Sequence, residues 1–520
     1  MAVLEVWSSK APVLSHLLSS LTVEVILVAA LLYILAPLGR YILRLVQSLD
    51  FTDSKIPHAG LLSVSQLPVL STAIPWVGHL LGLQSNSGRY INHLIASTAA
   101  PVFTINIPFK RIIVANPSMD RNLSRHTTDT GLAQILAYVG PRVFGLSSKT
   151  INVILGTDPR PLHKVEFGGV DNLKALSERS GVFAWGEMNQ MPAVNEVSLA
   201  HWMFGLTVSA TANAVWGVEN PWRMDREFAQ EFMNLSETFD SLSRPAAWLT
   251  ARSAYNSRRF LSSRLREFHA QHRSARVQSV AHAINVVAQA DPDWETNDDY
   301  FNIEMVSALG LLATPSTLSV WLMRHLLEAP DLLNAIVQEV QRLNDVQSEF
   351  GARLDLTNVK TLCPWLVASW YETLRLHMTG VPRLARHDFD LNVPDSDPLA
   401  VSQGDIFLLP MCASNHDATI WGGDAAFFVP GRFISRSGDL NSLTRKVRAF
   451  GVAGNLCPGR VFGFEVAMMV VAGTLRTFEV RGDGDFCVPD VRRGFNVGFE
   501  RYADDVKVVL VKRSTVVKCL

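Results

Sequence analysis

The spacing of apolar and polar residues changes several times along the chain, and each change predicts an element. Residues 102–107 and 111–115 are short β-rich runs separated by Pro108, Phe109 and Lys110, which predicts two paired strands. From about residue 120 to 290 apolar residues mostly recur at helical spacing, most clearly over 199–218 and 225–239. The longest predicted helix covers 297–327: Asn297 or Thr296 can cap it, Asp298 and Asp299 suit its first turn, and Pro330 stops it. Inside it lie Gly310, Thr314 and Pro315; a proline there cannot donate to the carbonyl of Leu311, so a kink is expected. Further helices are predicted over 331–343 and 364–377. Residues 383–410 alternate and carry a Gly404-Asp405 turn signal. A long apolar run at 461–478 predicts another helix, and 479–512 reads as short strands ending in 506–511. The fold class expected is mainly α with small β-sheets.

Near the N-terminus the pattern loses its period. Residues 25–39 carry no charge, and the apolar stretch over 19–39 approaches the length of about 20 residues that a spanning helix requires. Arg40 and Arg44 follow it directly, which by the positive-inside bias places the bulk of the chain in the cytosol. A cleaved signal peptide fits less well, because the basic residues come after the apolar run and no clear cleavage site follows. A buried core helix is the plainer alternative. Residues 1–50 are therefore expected to be an anchor and its flank, and 51–520 one large domain. Ile56-Pro57 and the run Ile74-Pro75-Trp76-Val77-Gly78-His79 make a stiff connector between them.

Composition narrows the classes. The chain has 520 residues, 48% of them hydrophobic, enough for a large core, and a formal net charge of -1, which gives no general case for nucleic acid. Its five cysteines, Cys363, Cys412, Cys457, Cys487 and Cys519, are dispersed and lack disulfide-framework or zinc spacing. Reduced thiols in a cytosol-facing protein suit them better.

One of these thiols has an unusual setting. Cys457 sits in Phe450-Gly451-Val452-Ala453-Gly454-Asn455-Leu456-Cys457-Pro458-Gly459-Arg460, a glycine-rich loop leading into the apolar helix. Glycines allow close approach to something flat or bulky, and a helix N-terminus favours a thiolate. A lone cysteine near a turn is ordinarily an inert core thiol, so other residues must carry the case. Glu372 and Arg375 stand three apart on one helical face among Trp365, Leu366, Val367, Trp370, Leu374 and Leu376. Such pairs are commonly solvated and weak; a buried one needs further partners, and Arg432 in Pro430-Gly431-Arg432-Phe433 is the candidate.

A helix with Glu-x-x-Arg, a later Pro-x-Arg-Phe and then Phe-Gly-x-x-x-x-x-Cys-x-Gly occur here in that order. Together they resemble the cytochrome P-450 superfamily, over most of the chain. Details resemble its eukaryotic microsomal members, in particular the branch with sterol 7-hydroxylases, prostacyclin synthase and many fungal secondary-metabolism enzymes. The resemblance implies heme b with Cys457 as the axial thiolate and metal ligand, which pushes electron density toward the iron and favours O–O cleavage. It implies that Phe450 packs beside the thiolate and that Gly459 lets the loop turn into the helix. Glu372, Arg375 and Arg432 would brace the loop as a structural network, and Arg383 would bind a heme propionate. Arg445, Lys446 and Arg448 would suit a face that docks an acidic electron donor, with a solvated charge cluster as the plainer alternative. The implied partners are an NADPH–cytochrome reductase, with a b-type cytochrome as a second donor, and a lipophilic small molecule. The implied location is the endoplasmic reticulum membrane, single-pass, with the catalytic domain in the cytosol.

The chain also departs from the family pattern. Ala453 replaces a frequent glycine, and Asn455 replaces a frequent Arg or His on a propionate. No clear Trp-x-x-x-Arg helix supplies the other propionate; His163 and Lys164 lie near its expected place. In the long helix the usual acid–alcohol pair is incomplete: Leu312 or Ala313 stands where the acid belongs, and Thr314 is the nearest hydroxyl. The leading expectation is a monooxygenase that takes electrons from NADPH through a reductase and oxidises a terpenoid, steroid, polyketide or alkaloid. Val306, Leu309, Leu311 and Leu312 are its expected apolar pocket residues, with core packing as their plainer role. The missing acid motivates an alternative, a reductase-independent heme-thiolate isomerase or dehydratase. A membrane-bound heme or lipid-binding protein without catalysis is the third class.

Overall fold

A computed structural model describes residues 69–70, 77–107, 110–126, 129–156, 169–244, 246–271, 291, 293, 297–394, 397–451, 456–457, 459–482, 490–492, 494, 496 and 498–513. The expected anchor at 19–39 and the connector before Val77 lie outside them. All described residues belong to one compact unit, Val64–Leu520.

The unit is mainly helical, and its centre is a helix running from Asp298 to Glu328. Its start follows the capping chemistry of the sequence: the Asn297 side chain accepts the Asp299 N–H at 2.9 Å, with two acidic residues in the first turn. The buried Asp299 carboxylate then reaches outward and accepts the Ser147 N–H at 2.9 Å, capping the neighbouring helix Ser148–Gly156. The missing N–H of Pro315 is answered by a π-helical turn over Leu309–Ala313, with α-helix resuming at Thr314. The hydroxyls of Ser316, Thr317 and Ser319 bond back to the carbonyls four residues earlier, so these side chains are satisfied inside an apolar core. Among the described residues this helix alone is long and apolar enough to cross a membrane, with a mean hydropathy of 1.5, but 72% of that window is buried inside the protein.

Two apolar clusters grip the central helix. Its C-terminal half, through Leu318, Trp321, Leu322 and Leu326, packs with Trp370 and Leu374 of the helix Pro364–His377 and with Met468 and Val471 of the helix Arg460–Thr477. Its N-terminal half, through Tyr300, Phe301, Met305 and Leu309, packs with Phe204, Phe228, Phe232, Leu261 and Leu265. These come from helices Leu199–Trp216, Arg226–Thr238 and Arg252–Gln271, the first two lying close to the expected ranges. Pro330 opens the next helix, Pro330–Val340, as well as ending the one before.

The sheets are small, and the three-stranded one shares the larger apolar cluster through Phe478, Val508 and Leu510. The largest has the strand order Val69–Leu70, Val102–Ile107, Lys110–Ala115, Ile406–Pro410, Gly380–Ala385 and Thr130–Gly131. Within it the expected hairpin of 102–107 with 110–115 is antiparallel, and Arg383 stands opposite Phe407. Gly380 is held at φ 147°, and a Cβ there would come 2.7 Å from the Leu409 carbonyl oxygen, so no other residue fits without backbone movement. A three-stranded sheet places Lys507–Lys512 between Phe478–Gly482 and Val194–Ser198. The sequence reading had no strand at 194–198; only two of its five residues are apolar, and its side chains alternate between half-buried and exposed.

Candidate heme-thiolate site

The helix Pro364–His377 was expected to carry a buried ion pair, and it does. Glu372 and Arg375 have no exposed surface. Arg375 donates to Glu372 twice, from Nε at 2.7 Å and from Nη2 at 2.9 Å. Its remaining N–H groups reach the carbonyls of Asn415 and Ala425, both at 2.6 Å, and of Phe427 at 3.1 Å. All five guanidinium donors are used. Glu372 also accepts the Val429 N–H at 2.8 Å and Arg432 Nε at 3.0 Å, while Arg432 donates onward to the Trp421 carbonyl. Each buried charge therefore has an opposite charge and a full set of hydrogen bonds, the condition under which such a knot is tolerated in a core.

The knot reaches the cysteine loop through a residue that sequence reasoning missed. Asn415 is fully buried; its carbonyl accepts from Arg375, and its side chain binds the Arg448 backbone in both directions. Asn415 Nδ2 donates to the Arg448 carbonyl at 2.7 Å, and the Arg448 N–H donates to Asn415 Oδ1 at 2.9 Å. Two residues later the Phe450 carbonyl accepts the Cys457 N–H at 2.6 Å. An asparagine before His416-Asp417 carries no sequence signal that separates it from an ordinary turn residue. Phe450 itself is half-buried and packs against the larger apolar cluster.

The left-handed backbone in this loop falls at Gly451, with φ 100°, and not at Gly459, whose φ is -78°. Gly459 is the N-cap of the helix Arg460–Thr477, where the loop turns into it, and a Cβ there would make an ordinary contact 3.8 Å from Cys457 Sγ. Asn455, Ala453 and Pro458 lie outside the described residues, as do His163 and Lys164. Cys457 is exposed, and the apolar Leu456 and Val461 beside it are 58% and 50% exposed. Protein nonetheless surrounds the thiol on its inner side. Burial pushes its pKa up, against the Gly459 amide and the Arg460 charge, which pull it down. Exposed surface and a desolvated thiol agree if the sulfur lies at the wall of a recess rather than on an open face.

The central helix supplies an opposing wall. A Cβ built on Gly463, in the second turn of the cysteine helix, would come 3.9 Å from Pro315, so the two helices meet beside Thr314. Along the otherwise buried central helix, Val306, Ser307, Gly310, Leu311 and Thr314 are open to space, at spacings that put them on one face. Gly310 has nothing within 4 Å of where its Cβ would be. Of the four expected pocket residues, Val306 and Leu311 lie on this face, whereas Leu309 and Leu312 are buried in the core. Leu312 and Ala313, the two alignments for the missing acid, are both buried among apolar side chains. Arg383 is buried on its strand, and Arg445, Lys446 and Arg448 are exposed just before the loop.

These residues fit a heme. A single exposed thiol at a helix N-terminus, apolar neighbours left open beside it, and a helix face with a side-chain-free gap at Gly310 match a flat apolar group carrying one soft-ligand metal. Cys457 would be the axial ligand, with Phe450 and Gly459 beside it.

Comparison with known proteins agrees with this geometry. Residues 223–503 match the cytochrome P-450 family, a span that includes the central helix, the buried ion pair and the cysteine loop. A cytochrome P-450 monooxygenase, nodJ, of Hypoxylon pulicicidum is 24% identical over 79% of this chain and 82% of its own. A cytochrome P-450 monooxygenase of Gibberella zeae is 21% identical over 78% of this chain and 80% of its own. A third, calL of Penicillium decumbens, is 27% identical over 33% of each chain. With a match over more than half its length, the chain belongs to the cytochrome P-450 family and is an oxidoreductase.

Proposed function

We propose that the chain is a membrane-anchored heme-thiolate monooxygenase that oxidises a lipophilic small molecule of secondary metabolism, with electrons from NADPH delivered by a reductase. The observation that carries the reading is the continuous hydrogen-bonded path from Glu372 and Arg375 through Asn415 and Arg448 to the loop presenting Cys457. When bound, the heme supplies dioxygen activation and electron storage; the protein supplies ligand, pocket and protons. Cys457 holds the iron, and the Asn415 link keeps its loop in register. Val306 and Leu311 give an apolar surface to a terpenoid, steroid, polyketide or alkaloid. Thr314 holds a hydroxyl on the same face, in the role the usual acid–alcohol pair would share. Arg383 is assigned to a propionate, and the exposed Arg445, Lys446 and Arg448 to docking of the acidic reductase or a b-type cytochrome.

The reading is tested by the ferrous carbon-monoxide spectrum of wild type and Cys457→Ala. Loss of the thiolate-type band in the variant is expected, and an unchanged spectrum would overturn the assignment. Residues 19–39 are proposed to anchor the chain in the endoplasmic reticulum with residues 51–520 in the cytosol. Deleting residues 1–50 should release protein from carbonate-washed microsomes. The apolar burial of Leu312 and Ala313 favours one second reading, an isomerase or dehydratase that needs no reductase. Substrate turnover without NADPH and reductase would select it.

A further inference from the structure

Behind the ion pair, on the far side of the helix Pro364–His377, lies a second polar group in the core. His325 of the central helix has Nε2 2.8 Å from Nε2 of His377, and His377 Nδ1 is 3.2 Å from Glu500 Oε2. All three residues are buried. The rings are held by stacking: His377 on Trp321 with centroids 3.8 Å apart, His325 on Phe428 at 4.2 Å. The backbone fixes the carboxylate end, because the Glu500 N–H donates to the His377 carbonyl and Trp321 Nε1 donates to the Glu500 carbonyl, each at 2.8 Å. At the other end His325 Nδ1 is buried without a hydrogen-bond partner among the described residues.

We infer that Glu500, His377 and His325 form a proton-sharing relay that locks the central helix, the end of the ion-pair helix and the C-terminal segment in one of two hydrogen-bond polarities. With Glu500 ionised, His377 Nδ1–H donates to it, His377 Nε2 accepts from His325 Nε2–H, and His325 Nδ1 is a bare lone pair. Adding one proton reverses every bond: it enters at His325 Nδ1, the His325 Nε2 proton passes to His377 Nε2, and the His377 Nδ1 proton passes to Glu500. The carboxylic acid donates to His377 Nδ1, His377 Nε2–H donates to His325 Nε2, and His325 Nδ1 carries the hydrogen. No group other than the added proton is needed for balance.

The surroundings set where that proton binds. Burial pushes Glu500 up to about 7, against the charges of His416 and Arg89, which pull it down. Burial, with His416 and Arg375, pushes His377 down to about 3, and burial with His377 lowers His325 strongly. The other charged or titratable neighbours are Glu372 on the ion-pair helix, Arg324 on the central helix, Cys412 beside Asn415, and Arg501 next to Glu500. The consequence reaches the proposed pocket wall. Immediately after His377, the Thr379 N–H donates to Gly498 and its hydroxyl to Asn496, and the strand then runs on to Arg383. The relay thus sits where that strand is pinned, and it acts whether or not the monooxygenase reading holds.

The test uses the full-length holoenzyme. Infrared difference spectra between pH 5.5 and 8.5 are expected to show a carboxylic-acid carbonyl stretch that titrates near neutrality and disappears in Glu500→Gln. Nitrogen-15 NMR of ring-labelled wild type is expected to show the His377 proton moving from Nδ1 at high pH to Nε2 at low pH in step with that titration. If both rings keep one tautomer across the range, or the carbonyl band persists in Glu500→Gln, the relay is excluded. The wild-type tautomer measurement decides even if the variant does not fold.

Discussion

Arg375 and Glu372 are coupled so fully that each predicts the fate of the other. Replacing Arg375 with Leu leaves a buried carboxylate with no cation on its own helix and three carbonyls without donors, an expected cost of about 3–5 kcal/mol. Little heme-loaded protein should be recovered, as read by absorbance per mole of purified chain. Asn415→Ala removes two bonds to the Arg448 backbone, at a cost of about 2–4 kcal/mol from the buried groups left unpaired. Because these bonds lie on the path to Cys457, the ferrous carbon-monoxide spectrum should shift from the thiolate type toward the inactive type more than global unfolding accounts for. An unchanged band ratio would place Asn415 outside the site. Glu500 gives a different signature. Its carboxyl is raised from 4.5 to about 7, so this group's contribution to stability falls as pH rises through that window. His377 is lowered from 6.5 to about 3, so its contribution is lost as pH falls through that window. Between 4.5 and 6.5 the Glu500 slope opposes that of His377, and His325, also lowered by burial, adds to the histidine side. In Glu500→Gln the opposing slope is gone, and denaturant unfolding should show stability rising with pH there more steeply than in wild type, by about 1.4 kcal/mol per pH unit.

Among the elements, the central helix combines a packed body with one open face. Gly310 lies on that face with empty space beyond it, so Gly310→Leu should not lower the melting temperature and should raise it slightly, since a helical glycine costs about 0.5–1 kcal/mol relative to alanine. The added side chain would occupy the gap, and imidazole binding to the iron, followed by absorbance titration, should weaken tenfold or more. An unaltered affinity would show that the face opens elsewhere. The helices and the Cys457 loop were legible in the sequence because period, caps and prolines act locally. Asn297, Pro315 and the Pro364–His377 helix are examples. The link through Asn415 was not legible, since nothing near it in sequence announces that Arg375 and Arg448 will meet there. The strand Val194–Ser198 was hidden for a related reason: its pairing to Lys507–Lys512 is decided by a partner at the far end of the chain.

At the scale of the whole molecule the two walls of the proposed site are built from different reaches of chain. The wall bearing Cys457 closes entirely between Glu372 and Cys457, through Asn415, Arg432, Arg448 and Phe450. Elsewhere the structure depends on distant partners: Trp321 is bonded to Glu500, and Lys507–Lys512 is the middle strand of its sheet. Spatial proximity therefore becomes an order in time. Short-range closure costs less chain entropy and is faster than pairing across several hundred residues. During refolding, pulsed hydrogen exchange should find the Cys457 amide protected before that of Leu199, which donates to the Val506 carbonyl. The reverse order would mean that the thiol waits for the last strand. If the cysteine wall does close first, the cofactor can be captured by a half-finished protein, before the C-terminal strand has found its distant partner.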